Sequence, residues 1–261
     1  MHPVLFTVFG IPVYSYGFFL ACGFLFATLS AVETGKRFRI DRDAVMDLAV
    51  WLLISGVVGA RLLYVLVNFP YYASHPLEVF MVNKGGLIYY GGLLAAVFSG
   101  ILFIRKKNMG LLKTGDVIMA VLPVGQMFGR IGCFLNGCCF GTPCTLPFRV
   151  IYPMNSHAFQ HYQEFQPVHP VQLYESLGTG LLFLALISII ERKRFHGQIV
   201  ALYGMLYPAL RFVMEFMRGD TTRHAADLTF AQYLSIPIFL ISFVLYRVWS
   251  RKADRFAASS P

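Results

Sequence analysis

Three arginines, Arg61, Arg130 and Arg211, lie inside apolar stretches long enough to cross a bilayer. An arginine at that depth costs at least about 2.5–3.5 kcal/mol, so it faces a polar interior and often marks a function. One such residue by itself reads as an anchor that reaches up to the interface. Three at one depth in separate helices read as an anion site, because the guanidinium fork can bind two oxygens of a phosphate at once. Random placement of charges near helix ends would give the same pattern.

Helical spacing supplies each arginine with neighbours. Tyr207, Arg211 and Glu215 fall at i, i+4 and i+8, a single polar stripe on an apolar helix, with Arg218 one turn further. Glu215 can hold the Arg211 guanidinium, and Pro208 removes a helical hydrogen bond beside Tyr207. A structural ion pair locking two helices explains the same stripe. Arg61 and Tyr64 share a face at i, i+3. Gly85-Gly86 and Gly91-Gly92 bracket Leu87 to Tyr90. They suit either a helix N-terminus that attracts an anion or close packing of helices, and the second needs no further context.

Seven apolar spans must position these groups, over about 13–33, 44–67, 88–104, 115–135, 171–190, 198–216 and 231–249. The third is short and the fourth contains Arg130. No basic residue precedes the first span and no small-residue cleavage site follows it, so it reads as retained. Fifteen of the 22 Lys and Arg residues follow spans one, three and five or close the chain, whereas Lys84, Arg149, Arg218 and Arg223 fall on the opposite side. The positive-inside rule then puts the N-terminus outside and the C-terminus in the cytoplasm. The expected fold is an all-α integral membrane protein with seven transmembrane helices, in a single domain over residues 1–261. Its irregular outer-face segments, at about 68–87 and 136–170, are rich in aromatics, proline and histidine.

Composition agrees: 57% of the 261 residues are apolar or aromatic and 13% are charged. A soluble domain carries about twice that charge. A net charge of +9 suggests nucleic acid, but topology accounts for most of it, so no nucleic-acid partner is expected. No phosphate-cradling glycine loop or helical metal-ligand motif appears, and neither a metal nor another cofactor is expected.

Gly129-Arg130-Ile131-Gly132-Cys133-Phe134-Leu135-Asn136-Gly137, continuing to Gly141, resembles the signature of the prolipoprotein diacylglyceryl transferases, and His169-Pro170-Val171-Gln172-Leu173-Tyr174-Glu175 resembles their second outer-face motif. Tyr16-Gly17, the segment from Arg61 to Tyr64, the stripe from Tyr207 to Glu215 and the run from Gln232 to Pro237 fit in order. The resemblance covers nearly the whole chain. It implies a multi-pass enzyme of the bacterial inner membrane, with its active site toward the extracytoplasmic side. Its partners would be phosphatidylglycerol, other membrane lipid and preprolipoprotein signal peptides with a lipobox cysteine. The diacylglyceryl group would pass to that cysteine thiol, forming a thioether and releasing glycerol 1-phosphate.

The resemblance further implies roles. Arg130 and Arg211 hold the phosphate and stabilise the leaving group, with Arg61 as a third contributor. Glu215 orients Arg211; Tyr16, Asn136, Gly141 and Tyr207 shape the head-group pocket; His169, Gln172, Tyr174 and Glu175 are structural or gating residues. Many relatives have histidine where this chain has Tyr90. A tyrosine of ordinary pKa near 10 is a poor base, so Tyr90 either hydrogen-bonds the substrate or leaves the proton to substrate phosphate or water.

Cys133 and Cys138 stand where asparagine and glutamate are common in the family, and with Cys139 and Cys144 they form a cluster. A disulfide and unpaired small residues fit it equally, with zinc behind both because the spacing matches no common site. Cys22 reads as a small core residue. His157 and His161 read as surface residues outside any helix. Two rival functions are a polytopic lipid or anion transporter, against which the lack of internal symmetry counts, and a non-catalytic lipid-binding relative, which Tyr90 favours.

Overall fold

The computed structural model describes residues 1–81 and 85–259. Lys84, read above as an outer-face charge, lies outside the described residues. Each of the seven apolar segments is a helix: α1 (Ser15–Arg37), α2 (Arg42–Val67), α4 (Tyr89–Lys106), α5 (Leu111–Asn136), α7 (Val171–Ile190), α8 (Gln198–Glu215) and α9 (Phe230–Ser259). Five of them, α1, α2, α5, α7 and α9, are long and apolar enough to cross a membrane. Arg130 does not remove α5 from that group. The other two are 18 residues each, and α8 carries Arg211 and Glu215 within that length.

Burial is inverted relative to a water-soluble protein. Leu66, Val67, Phe98, Leu177, Leu184 and Ile241 point outward, while Asp116, Gln172, Glu175, Glu215 and Gln232 are buried. An apolar exterior of that extent suits hydrocarbon as the solvent.

Small elements depart from an all-α reading. An N-terminal hairpin pairs β1 (Val4–Val8) with β2 (Ile11–Tyr14) in antiparallel register. The 136–170 segment builds a small core of its own from Phe140, Tyr152, Ala158 and Val168. It contains the two-residue strands β3 (Val150–Ile151) and β4 (Pro167–Val168) and the six-residue helix α6 (His157–Tyr162). Helix α6 corrects the expectation that no helix holds His157 and His161. The Ser156 hydroxyl caps it by accepting the Phe159 N–H at 3.1 Å, and Gln163 ends it in a left-handed conformation. A single capped turn is too short to show in an apolar periodicity. Both histidines remain on the surface.

The chain forms two compact units, Met1–Ala31 with Gly115–Pro261, and Val32–Thr114. In the Val32–Thr114 unit, α2 and α4 meet backbone to backbone. A Cβ added at Gly59 would stand 2.6 Å from the Gly91 carbonyl oxygen, and one at Gly92 would stand 2.8 Å from that of Gly56. The glycines of α4 therefore serve close packing. Gly85 and Gly86 serve Arg61: their carbonyls accept from its Nη1 at 2.8 and 3.1 Å, while Val79 accepts from Nε at 2.8 Å and Glu78 from Nη2 at 2.5 Å. The rings of Tyr64 and Tyr72 flank the same guanidinium. This unit also holds α3 (Phe69–Ser74), and Tyr90 lies in the first turn of α4 with its ring edge-on to Tyr89.

In the other unit, Asp116 ties α5 to the start of α8. Its Oδ2 accepts from the Lys193 ammonium at 2.7 Å and the Gly197 N–H at 2.8 Å, and its Oδ1 from the N–H groups of Ile199 and Val200. Lys193, read above only as an orienting charge, is thus a buried ion-pair partner. Replacing Asp116 by alanine removes the carboxylate from beside that ammonium and from three N–H groups, at a cost of about 3–5 kcal/mol. The unfolding midpoint in detergent is expected to fall by about 5–15 °C, while the same change at the exposed Asp254 leaves it unmoved.

Candidate functional site

The candidate site is built within the unit formed by Met1–Ala31 and Gly115–Pro261, on one face of α7. Gln172, Glu175, Ser176 and Thr179 are all buried at i, i+3, i+4 and i+7, a polar stripe on an apolar helix. Each binds something particular. The Gln172 amide donates to the Cys138 carbonyl at 2.7 Å and the Tyr152 hydroxyl at 2.8 Å. The Ser176 hydroxyl donates to the Met127 carbonyl of α5 at 3.1 Å, and the Thr179 hydroxyl donates back to Glu175. Burial pushes the pKa of the Tyr152 hydroxyl upward, which keeps it neutral as a hydrogen-bond partner.

Glu175 is the centre of the site. One carboxylate oxygen pairs with Nε of Arg130 from α5, and the other with Nη1 of Arg211 from α8. Arg211 also pairs through Nη2 with Glu215 at 2.7 Å, one turn on in the same helix. The Glu175 and Glu215 side chains are 5% and 1% exposed, whereas Arg130 keeps 21%. Four charges thus cancel, and three helices are tied together. Arg130 spends only Nε: its two terminal nitrogens hydrogen-bond to none of the described residues. That leaves four N–H donors on a cation already oriented from behind, an arrangement suited to two oxygens of a phosphate.

The loops beside this network are interlocked. Gly141 pairs with Arg218 across an isolated bridge, Thr142 N–H donates to the Met217 carbonyl at 2.8 Å, and His169 N–H donates to the Thr142 carbonyl at 3.0 Å. A Cβ at Gly141 would stand 2.7 Å from that of His169, so only glycine allows this approach. Arg218 is bidentate to Asp220 at 3.0 and 2.8 Å. His169 and Tyr174 are in ring contact; Nδ1 of one and the hydroxyl of the other are buried without a hydrogen-bond partner among the described residues.

The remaining sequence-derived residues can now be placed. Tyr16 opens α1 against Gly132 of α5 and is half-exposed. Asn136 ends α5. Tyr207 stacks on Tyr203, whose hydroxyl accepts from Gln126 at 2.8 Å. Arg61 and Tyr90 belong to the Val32–Thr114 unit described above.

All five cysteines are free thiols. Those of Cys133, Cys138 and Cys139 converge, whereas Cys144 is outside that group. The neighbouring Cys133 and Cys138 thiols, with the nearby Arg218 and Arg130 charges, hold the Cys139 thiol below its ordinary pKa in spite of burial. The bridging role of Glu175 had one sequence signal, a carboxylate inside an apolar span. Such a group requires a partner, but spacing does not identify it.

Comparison with known proteins agrees with the motifs. The family model for prolipoprotein diacylglyceryl transferase matches residues 3–248. A phosphatidylglycerol–prolipoprotein diacylglyceryl transferase of Finegoldia magna is 36% identical over 246 residues, 94% of each chain. Proteins of the same name from Clostridium tetani and Bordetella avium are 31% and 33% identical, covering 98% and 97% of this chain and 99% and 96% of their own. With the match running through all the helices that carry Arg130, Glu175 and Arg211, the chain belongs to the prolipoprotein diacylglyceryl transferase family.

Proposed function

We propose that this chain transfers the diacylglyceryl group of phosphatidylglycerol to the lipobox cysteine thiol of a preprolipoprotein, at the extracytoplasmic side of a bacterial inner membrane. The observation that carries the mechanism is Glu175, holding Arg130 and Arg211 from both sides while Arg130 keeps two terminal nitrogens available. The substrate thiolate attacks the glyceryl carbon, the carbon–oxygen bond to phosphate breaks, and glycerol 1-phosphate leaves. Negative charge grows on the phosphate as that bond breaks, so donors fixed in advance act mainly on the transition state. The proton that the thiol gives up on becoming a thiolate ends on the glycerol 1-phosphate that leaves. Arg211, held by two carboxylates, completes the positive wall, while Tyr16, Asn136, Gly141 and Tyr207 line the head-group side. Gln172, Tyr174 and His169 hold the loops in place.

Arg61 takes a different role from a phosphate ligand. Four of its N–H donors are on backbone carbonyls, and we assign it to holding Glu78, Val79, Gly85 and Gly86. The topology that fits this chemistry has seven spans with the N-terminus outside, the two 18-residue helices crossing as well as the five longer ones.

Purified full-length protein, phosphatidylglycerol vesicles and a lipobox peptide test the reading. A peptide heavier by one diacylglyceryl unit and an equal amount of free glycerol phosphate are expected. Absence of both products with folded enzyme overturns it. In that assay Tyr90→Phe is expected to lower turnover roughly three- to tenfold, the loss of one substrate hydrogen bond. Unchanged turnover eliminates the Tyr90 hydroxyl from the reaction.

A further inference from the structure

The thiol cluster is not used by the transfer chemistry, and its construction is specific. Cys133 lies in the last turn of α5 and is buried. Beyond the helix end the chain turns back, with Cys138 N–H donating to the Cys133 carbonyl at 3.2 Å and Gly137 N–H to that of Phe134. Gln172 clamps the Cys138 carbonyl from α7, and Cys139 adopts a left-handed backbone, φ +61°. These restraints bring three sulfur atoms within 4.8 Å of one another. Sulfurs sharing one ion at about 2.3 Å stand about 4 Å apart, so small side-chain rotations close the ring.

We propose that Cys133, Cys138 and Cys139 form a three-thiolate binding site for one soft d10 metal ion, of the Zn(II) or Cu(I) class. Thiolate sulfur selects such ions over Mg(II) or Ca(II). A disulfide would use two of the three sulfurs and leave the third buried beside it. Charge fits a thiolate cage as well: three thiolates with Zn(II) carry −1, with Cu(I) −2, and the guanidiniums of Arg218 and Arg130, each also paired with a carboxylate, are near enough to Cys139 to favour its thiolate. Binding forms three metal–sulfur bonds and releases the thiol protons to solvent, with no change of oxidation state. Cys144 and Cys22 are outside the cage, and His157 and His161 are not needed.

The test uses full-length protein in detergent micelles, reduced and then freed of reductant under anaerobic conditions. Zn(II) is titrated against a chromophoric chelator in one arm and Cu(I) against bicinchoninate in the other. One equivalent per chain in either arm is expected, with Co(II) giving thiolate charge-transfer absorption in the near ultraviolet. Cys138→Ser and Cys139→Ser each weaken binding at least tenfold, whereas Cys144→Ser and Cys22→Ser keep it. A mutation-free readout guards against misfolding: the bound ion protects Cys133, Cys138 and Cys139 from maleimide while Cys22 and Cys144 remain reactive. Failure of both metals to bind at one equivalent overturns the proposal. So does binding that survives the Cys138→Ser/Cys139→Ser double variant, or a disulfide between two of the three in protein isolated without reductant.

Discussion

Glu175→Gln is expected to reduce diacylglyceryl transfer by about 100-fold or more, a barrier increase of at least about 2.7 kcal/mol. The substitution keeps the size of the side chain and removes the charge that both Arg130 and Arg211 lean on. Two guanidiniums then face each other with one fewer carboxylate between them, and neither keeps its orientation. Glu175 acts through the arginines and is a positioning residue, so the effect should appear mainly in kcat. Glu175→Asp, which keeps the charge but shortens the reach, recovers part of the rate. The measurement is peptide product and released glycerol phosphate, with yield and unfolding midpoint followed beside them. Wild-type kcat in a folded Glu175→Gln variant would show that the bridge is not used.

Arg130→Lys is the second large effect. Lysine preserves a positive charge but replaces a planar fork with a point donor. It cannot pair through the nitrogen that Arg130 gives to Glu175 and still offer two parallel donors to a phosphate. Loss of about 100- to 1000-fold in kcat is expected, the range for removing a fixed donor from a developing oxyanion. Arg211→Lys should cost less, since Arg211 already places a terminal nitrogen on each of two carboxylates and has less to offer the substrate. Equal losses for the two lysine variants would mean that they share the phosphate evenly. Full activity in Arg130→Lys would remove the bidentate contact.

These effects depend on pairings that no reading of linear spacing provides. The stripe of Tyr207, Arg211 and Glu215 was legible because i, i+4 geometry is local to one helix, and the 2.7 Å Arg211–Glu215 pair lies where that spacing places it. Glu175 was legible only as a charge in an apolar run, since its partners are 45 and 36 residues away and on other helices. Arg61 shows the reverse problem. Its apolar setting suggested a ligand-binding cation, while backbone carbonyls of a loop some 20 residues on occupy its donors. Backbone acceptors are present at every residue, so no side-chain pattern marks the ones that will be used.

The helices over the seven apolar segments were legible in the sequence itself, because a long apolar segment shielded from water satisfies its own backbone groups by becoming a helix. So were the arginines at helix depth and the family motifs. Tertiary structure alone decided which carboxylate each arginine meets, that Asp116 caps α8 and neutralises Lys193, and that three of four clustered cysteines converge. The reason is physical. Burial of a polar group demands a partner but does not say which, and only the packing of helices distant in sequence supplies it.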